Sequence, residues 1–172
     1  MGQERIIIYI RHGEDIRDGY KYDEKLTDDG KYEVKVLANK LIKDYGVPEV
    51  IYYSPYYRTR QTTRIMLKVI HEELNEKIRL KCDPRLSRFF TKRQKRDPDI
   101  SRSTRKKGAP IYESWSDFKY RAEEQISDME ENDKYQIIWC VTHTLILDRL
   151  INIKNIDHGF KIPYLDTIVL RV

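Results

Sequence analysis

The sequence is poor in cysteine and alanine and lacks long apolar runs. Its two cysteines, Cys82 and Cys140, lie inside apolar, strand-like stretches. That excludes a disulfide framework or a cysteine-rich zinc site and reads as two buried free thiols of an intracellular, cytoplasmic protein. No stretch approaches the roughly 18 apolar residues of a membrane-spanning helix. The apolar run after Met1-Gly2-Gln3-Glu4-Arg5 covers only residues 6–10, too short for a secretory signal. Gly2 does not open a myristoylation motif, because position 6 is Ile rather than Ser or Thr. Alanine occurs three times against 21 isoleucines, a bias without bearing on function. No internal repeat is visible.

What is present suffices for a folded core. The 172 residues are 40% apolar and 35% charged, which excludes wholesale disorder. A chain of this length buries roughly 70% of its unfolded surface without help from metal or disulfide. One domain spanning residues 1–172 is expected. The net charge of +5 is unevenly placed. Residues 85–107 hold ten Lys or Arg and two Asp, a net +8 that leaves −3 for the rest. The segment 83–110 also contains Pro84, Pro98, Gly108 and Pro110 and has little periodicity, so it reads as a basic insertion, with room for a short helix.

Elsewhere strands and helices alternate. Arg5-Ile6-Ile7-Ile8-Tyr9-Ile10 reads as a strand buried on both faces. Thr27 caps a predicted helix of about 18 residues stopped by Gly46. Val50-Ile51-Tyr52-Tyr53 is a second strand, and Ser54-Pro55 reads as N-cap and first position of the next helix. Residues 78–82 alternate as a third strand, and Ser114 caps a helix carrying Phe118, Ala122, Ile126 and Met129. Residues 136–141 form a strand ending at Thr142-His143, residues 145–151 a helix, and residues 167–172 a last strand. The pattern predicts an α/β three-layer sandwich with a mostly parallel central sheet flanked by helices.

Ligands in such sheets bind beyond the C-terminal ends of the strands. Arg11-His12 ends one strand, residues 54–58 follow a second, and His143 ends a third. Three separate pieces of chain thus bring two imidazoles and at least two guanidiniums to one edge. Guanidinium forks bind phosphate oxygens in pairs, neutral imidazole is a nucleophile near pH 7, and phosphoryl transfer is helped by fixed positive donors.

The ordered set Arg11-His12-Gly13-Glu14, Leu26-Thr27-Asp28-Asp29-Gly30, Ser54-Pro55-Tyr56-Tyr57-Arg58-Thr59-Arg60-Gln61-Thr62, Glu113-Ser114 and Val141-Thr142-His143 resembles the histidine phosphatase superfamily, in its phosphoglycerate mutase-like branch. The resemblance runs from residue 6 to about 150. It implies that His12 becomes phosphorylated, that Arg11, Arg58 and His143 hold the phosphate, that water releases it, and that no metal or organic cofactor takes part. Thr144 and Glu14 are further candidates for substrate contact. The family often supplies a Glu acid as Leu-x-Glu after the third strand. Here the segment is Leu86-Ser87-Arg88, and guanidinium does not donate a proton near neutral pH. A small residue common after the second histidine is Thr144, and the Asn common after the first motif is Asp18.

Three outcomes follow from the missing acid. Glu113, Asp83 or Asp18, in that order, replaces it; or the substrate has a good leaving group; or the protein mainly binds phosphorylated ligands. The chain looks short for a phosphoglycerate mutase-type phosphoryl transfer. Glu113 also reads simply as a helix-start carboxylate.

His71 and His158 read as surface or loop residues, Arg60 and Arg64 as solvated, and Tyr52, Tyr53, Tyr56 and Tyr57 as core and wall packing. The basic insertion reads as a solvated loop or as cover for the phosphate pocket that draws polyanionic substrates. Nucleic-acid binding is a less favoured reading, since no RNA-binding module is recognisable. No pattern points to an oligomer.

Overall fold

An unbroken β-branched and aromatic run can sit still only where both its faces are covered. Residues 6–10 do so at the heart of the sheet in the computed structural model, which describes residues 4–16, 24–90 and 101–172. The elements are β1 (Ile6–Arg11), α1 (Asp28–Tyr45), β2 (Val50–Tyr53), α2 (Tyr57–Leu74), β3 (Arg79–Cys82), a 3-10 turn (Pro84–Leu86), α3 (Arg102–Lys106), α4 (Trp115–Glu131), β4 (Ile137–Thr142), α5 (Thr144–Lys154) and β5 (Thr167–Arg171). The sheet order is β3-β2-β4-β1-β5. The first four strands are parallel, and β5 runs antiparallel along β1.

Alternation along each strand feeds two cores. Ile7 and Tyr9 of β1 and Ile138 and Cys140 of β4 pack with Phe118 and Ile126 of α4 and Leu147 of α5. Ile8 and Ile10, with Trp139 and Val141, pack instead with Val34 and Leu41 of α1 and Met66 of α2. The three-layer α/β sandwich expected from the sequence is therefore the fold. Among the described residues, no helix is long and apolar enough to cross a membrane.

The caps explain most boundaries. Thr27 Oγ1 accepts from Gly30 N at 2.9 Å and Gly46 ends α1 at φ 92°, as expected. Ser114 and Asp117 form a reciprocal capping box at the start of α4. The second helix differs from expectation. It starts at Tyr57, not at Pro55, and its N-cap Tyr56 makes no side-chain cap bond. Thr59 Oγ1 closes the turn by donating at 2.7 Å to the carbonyls of Ser54 and Tyr56, which leaves the Ser54 hydroxyl for another use.

The basic insertion is only partly a loop. Its described flanks include the 3-10 turn and α3, and Phe90 and Ala109 are buried with Tyr56. Thr104 donates from Oγ1 to the Pro55 carbonyl at 3.2 Å, and Arg60 donates to Ser103 Oγ at 2.8 Å. These flanks are anchored through a few buried residues, while Arg102, Arg105, Lys106 and Lys107 are exposed as a solvated segment would have them, and Arg60 is half-buried instead of solvated. Residues 91–100 lie outside the described residues. Tyr52 and Tyr56 are buried as expected, but Tyr57 is exposed, pointing outward in the first turn of α2.

Candidate active site

In-register pairing of two parallel strands sets the centre of the site. Arg11 of β1 pairs with Thr142 of β4, so the next residues, His12 and His143, emerge side by side. The His12 N–H still donates to the Thr142 carbonyl at 3.0 Å. Likewise Tyr53 pairs with Val141, and Ser54 N donates to the Val141 carbonyl at 3.1 Å. Three neighbouring strand ends thus present His12, His143 and Ser54 in one row, with ring centroids of the two histidines 5.2 Å apart.

Arg58, in the first turn of α2, lies between the histidines. Its Nε donates to His12 Nε2 at 3.0 Å and a terminal nitrogen reaches His143 Nδ1 at 3.2 Å. All three side chains are buried, with Arg58 4% exposed. Because guanidinium only donates, both contacted ring nitrogens present lone pairs. His12 Nδ1 lies 2.8 Å from the Gly13 carbonyl and therefore carries the hydrogen. His143 Nε2 lies 2.9 Å from Ser54 Oγ and donates to it. His12 is thus a neutral imidazole with its Nε2 lone pair aimed into the site. Burial first, then the charge of Arg58, holds its pKa well below the ordinary imidazole value. The same two causes, in the same order, depress His143.

The loop after His12 is fixed by a close approach. A Cβ on Gly30 would come within 2.5 Å of the Glu14 carbonyl oxygen, so the start of α1 can press against this loop only as glycine. Thr27 Oγ1 donates to Glu14 Oε2 and Thr27 N to the Glu14 carbonyl, each at 2.9 Å. Gly13 N donates to Thr62 Oγ1 of α2 at 3.1 Å. Glu14 is therefore placed against the cap of α1, and Thr144 is the first residue of α5, just beyond His143.

Residues that the sequence reading missed complete the surroundings. Because β5 is antiparallel to β1, the segment leading into it crosses the C-terminal end of β1. Tyr164 there packs 5.6 Å from the His12 ring and 4.1 Å under the Arg11 guanidinium. Arg11 also donates to the Ile162 carbonyl. Tyr164 OH donates to Asp15 Oδ1 at 2.8 Å, and Asp15 Oδ2 lies 3.6 Å from Arg58 Nε. His158 lies in a loop, as expected, and pairs there with Asp166 at 2.8 Å. No local pattern marks Asp15 or Tyr164. Their signal is the antiparallel turn-back of β5, which spacing does not reveal.

The candidate acids are placed elsewhere or engaged. Glu113 receives both its oxygens' bonds from Arg121, from Nε at 2.7 Å and from a terminal nitrogen. Asp83 caps the 3-10 turn and pairs with Arg85 at 3.1 Å, and Asp18 lies outside the described residues. Burial pushes the Cys82 and Cys140 thiols up, so neither is an activated nucleophile. Among the described residues no three His, Cys, Asp or Glu side chains gather as a metal site.

Such a fold, with two histidines bridged by an arginine at the strand ends, defines a phosphoglycerate mutase-like architecture. The model of the histidine phosphatase superfamily (branch 1) matches residues 7–157, and the chain belongs to that family. Among solved structures, it is similar to the ecdysone phosphate phosphatase from Bombix mori, in complex with tungstate, at 15% identity and TM-score 0.69, covering 96% of this chain and 88% of that one. It is similar to phosphoglycerate mutase from Bacillus anthracis at 18% identity and TM-score 0.67, covering 97% and 88%. It is similar to the alpha-ribazole phosphatase from Shigella flexneri at 23% identity and TM-score 0.61, covering 85% and 77%. No curated protein matches the chain.

Proposed function

We propose that this protein is a phosphatase that works through a phosphohistidine at His12, without a cofactor. The observation that carries the reading is the Arg58 bridge, which leaves His12 Nε2 unprotonated beside a buried cation. A phosphate dianion is the natural counter-charge for that cation. On binding, its oxygens take the donors of Arg58, with Arg11 close enough to depress His12 further by its charge. The dianion also favours a proton on His143, which turns its Nδ1 into another donor.

His12 Nε2 then attacks phosphorus, the P–N bond forms, and the bond to the leaving oxygen breaks. Water attacks the phosphohistidine next, releases inorganic phosphate and restores His12. The equatorial oxygens stay on fixed donors throughout, which is where electrostatic stabilisation acts. With Glu113 and Asp83 engaged in ion pairs, the leaving group departs with little proton assistance. General acid help is ordinarily worth about 10²–10⁴-fold, so substrates with a good leaving group are favoured.

The test is hydrolysis of an aryl phosphate and an alkyl phosphate by wild type and His12→Ala, with trapping of phosphoenzyme by an alkaline detergent quench, because the P–N bond is lost in acid. Activity on the aryl ester, an alkali-resistant phosphoenzyme and their loss in His12→Ala are expected. Wild-type turnover in His12→Ala overturns the reading. Arg88, standing where the family often has its acid, favours a second reading, a phosphate-recognising protein with feeble turnover. Phosphate binding without hydrolysis of either ester would select it.

A further inference from the structure

The second half of the reaction needs a group that the first half does without. Breaking the phosphohistidine takes a water, and a water attacking phosphorus sheds a proton as its bond forms. It arrives from the side opposite His12 Nε2, because the bond that forms and the bond that breaks lie in line. His12 and Arg58 are both buried, so that side is the one facing solvent. His143 is no proton acceptor there, since its Nδ1 lone pair faces Arg58 and its Nε2 hydrogen goes to Ser54. Glu14 Oε2 takes the Thr27 hydroxyl at the cap of α1, and Glu113 is held by Arg121.

One carboxylate does stand at the nucleophile. Arg58 Nε lies 3.0 Å from His12 Nε2 and 3.6 Å from Asp15 Oδ2. A single nitrogen thus separates the Asp15 carboxylate from the attacking atom. The Asp15 side chain is 16% exposed against 4% for Arg58, which sets it on the solvent side of the guanidinium. Its orientation is fixed. Tyr164 OH donates to Oδ1 at 2.8 Å, and the same ring packs 5.6 Å from His12. The backbone is pinned by the bridge between Asp15 and Leu26, with Ile16 N donating to the Lys25 carbonyl at 2.9 Å. Oδ2 meets Arg58 at an ion-pair distance, longer than a hydrogen bond, and a carboxylate oxygen accepts at two positions. A carboxylate paired with a cation takes a proton but has none to give, so it suits the second step and not the first. Once phosphorus is bonded to His12 Nε2, that nitrogen no longer accepts. The Arg58 Nε–H then serves a phosphoryl oxygen, with Asp15 Oδ2 beside it.

We propose that Asp15 is the general base of dephosphorylation, a catalytic residue that acts on the water hydrolysing the phosphohistidine. The water gives one proton to Asp15 Oδ2 as its oxygen bonds to phosphorus. The P–N bond breaks, its electron pair returns to His12 Nε2, and Nδ1 keeps its hydrogen on the Gly13 carbonyl. Inorganic phosphate leaves, and Asp15 passes the proton to solvent. The two steps then differ in kind: the leaving group departs with little proton assistance, whereas the attacking water is assisted. This rests on the phosphohistidine reading above.

Timing the two steps separately tests it. Wild type, Asp15→Asn and Asp15→Ser are mixed with an aryl phosphate carrying a radiolabelled phosphoryl group. Release of the aryl alcohol reports the first step. Label kept on the protein after a chase with unlabelled substrate and an alkaline detergent quench reports the second. Both variants should release one equivalent of aryl alcohol at close to the wild-type rate, since phosphorylation does not use the base. They should then stall, with label on His12 lost about 10²-fold or more slowly than in wild type. The prompt release itself reports a folded phosphate site. Label lost at the wild-type rate in both variants overturns the proposal and leaves the phosphohistidine standing. A loss or equal slowing of both steps overturns it too, and makes Asp15 a support for Arg58 only. If wild type hydrolyses the ester without label on His12, or does not hydrolyse it, the phosphohistidine reading falls and Asp15 loses its step with it.

Discussion

The two sides of the pocket are built by different means. On the histidine side, His12, Ser54 and His143 each sit directly after a parallel strand, and strand register alone sets them in a row. On the outer side, the loop six residues past the end of β3 is fixed at the Arg88 carbonyl by Arg121, 33 residues away in sequence. Tyr164 reaches His12 across a sequence separation of 152 residues. The inner wall is thus inherited from backbone hydrogen bonding, while the outer wall depends on a few side chains. Substitutions on the inner wall should remove chemistry and leave the fold, whereas those on the outer wall should disturb placement and stability first.

Apart from His12 itself, the largest effect is expected at Arg58. Arg58→Met should lower kcat/KM by about 10²–10³-fold, the scale seen when one oxyanion donor is lost. It should also move the acid limb of the pH profile upward, because one cause of the depressed His12 value is gone while burial stays. Wild type should keep its activity below the ordinary imidazole value of about 6.5, since His12 protonates only at lower pH. Stability follows the same groups with the sign of linkage. Between the unfolded value near 6.5 and the lower folded values of His12 and His143, the unfolded chain binds more protons, so acidification drains stability there. An acid limb unchanged in Arg58→Met would break the electrostatic half of the comparison.

The next effect is at the outer clamp. Arg121→Ala leaves Glu113, 9% exposed, without its partner and frees three carbonyls. A cost of about 3 kcal/mol is expected for orphaning a nearly buried charge, seen as a lower urea midpoint at constant slope. Glu113→Gln should likewise lose stability while keeping the shape of the pH profile. A Glu113→Gln protein of full stability that has lost its basic limb would restore Glu113 as the acid and erase the distinction between the walls. The smallest effect is at Tyr164→Phe, which removes the bond to Asp15 and with it about 1 kcal/mol of restraint on Arg58. A several-fold fall in kcat/KM with little change in Tm is expected.

Much of this was legible beforehand for a physical reason. The strand cores announce themselves through β-branched runs, and α1 and α4 through Thr27 and Ser114 with their apolar spacing, because these signals are local. The same holds for the strand-end positions of His12 and His143, since a motif that follows a strand directly has nowhere else to go. Ser54 was misread because a serine before proline satisfies the local rule for a cap, while its hydroxyl is in fact taken by His143. Glu113 fitted a helix-start or an acid role equally well until Arg121 came within reach from the next two turns of α4.

The sequence by itself determined the layered α/β plan, the order of its elements and the chemical types gathered at one sheet edge, because hydrophobic period, caps and strand ends are encoded within a few residues. Only the tertiary structure decided that Arg58 bridges the two histidines, that β5 turns back to bring Tyr164 and Asp15 beside them, and that Arg121 fixes the loop of Arg88. Those contacts join residues far apart in the chain, and their energies exist only once the sheet has closed the distance between them.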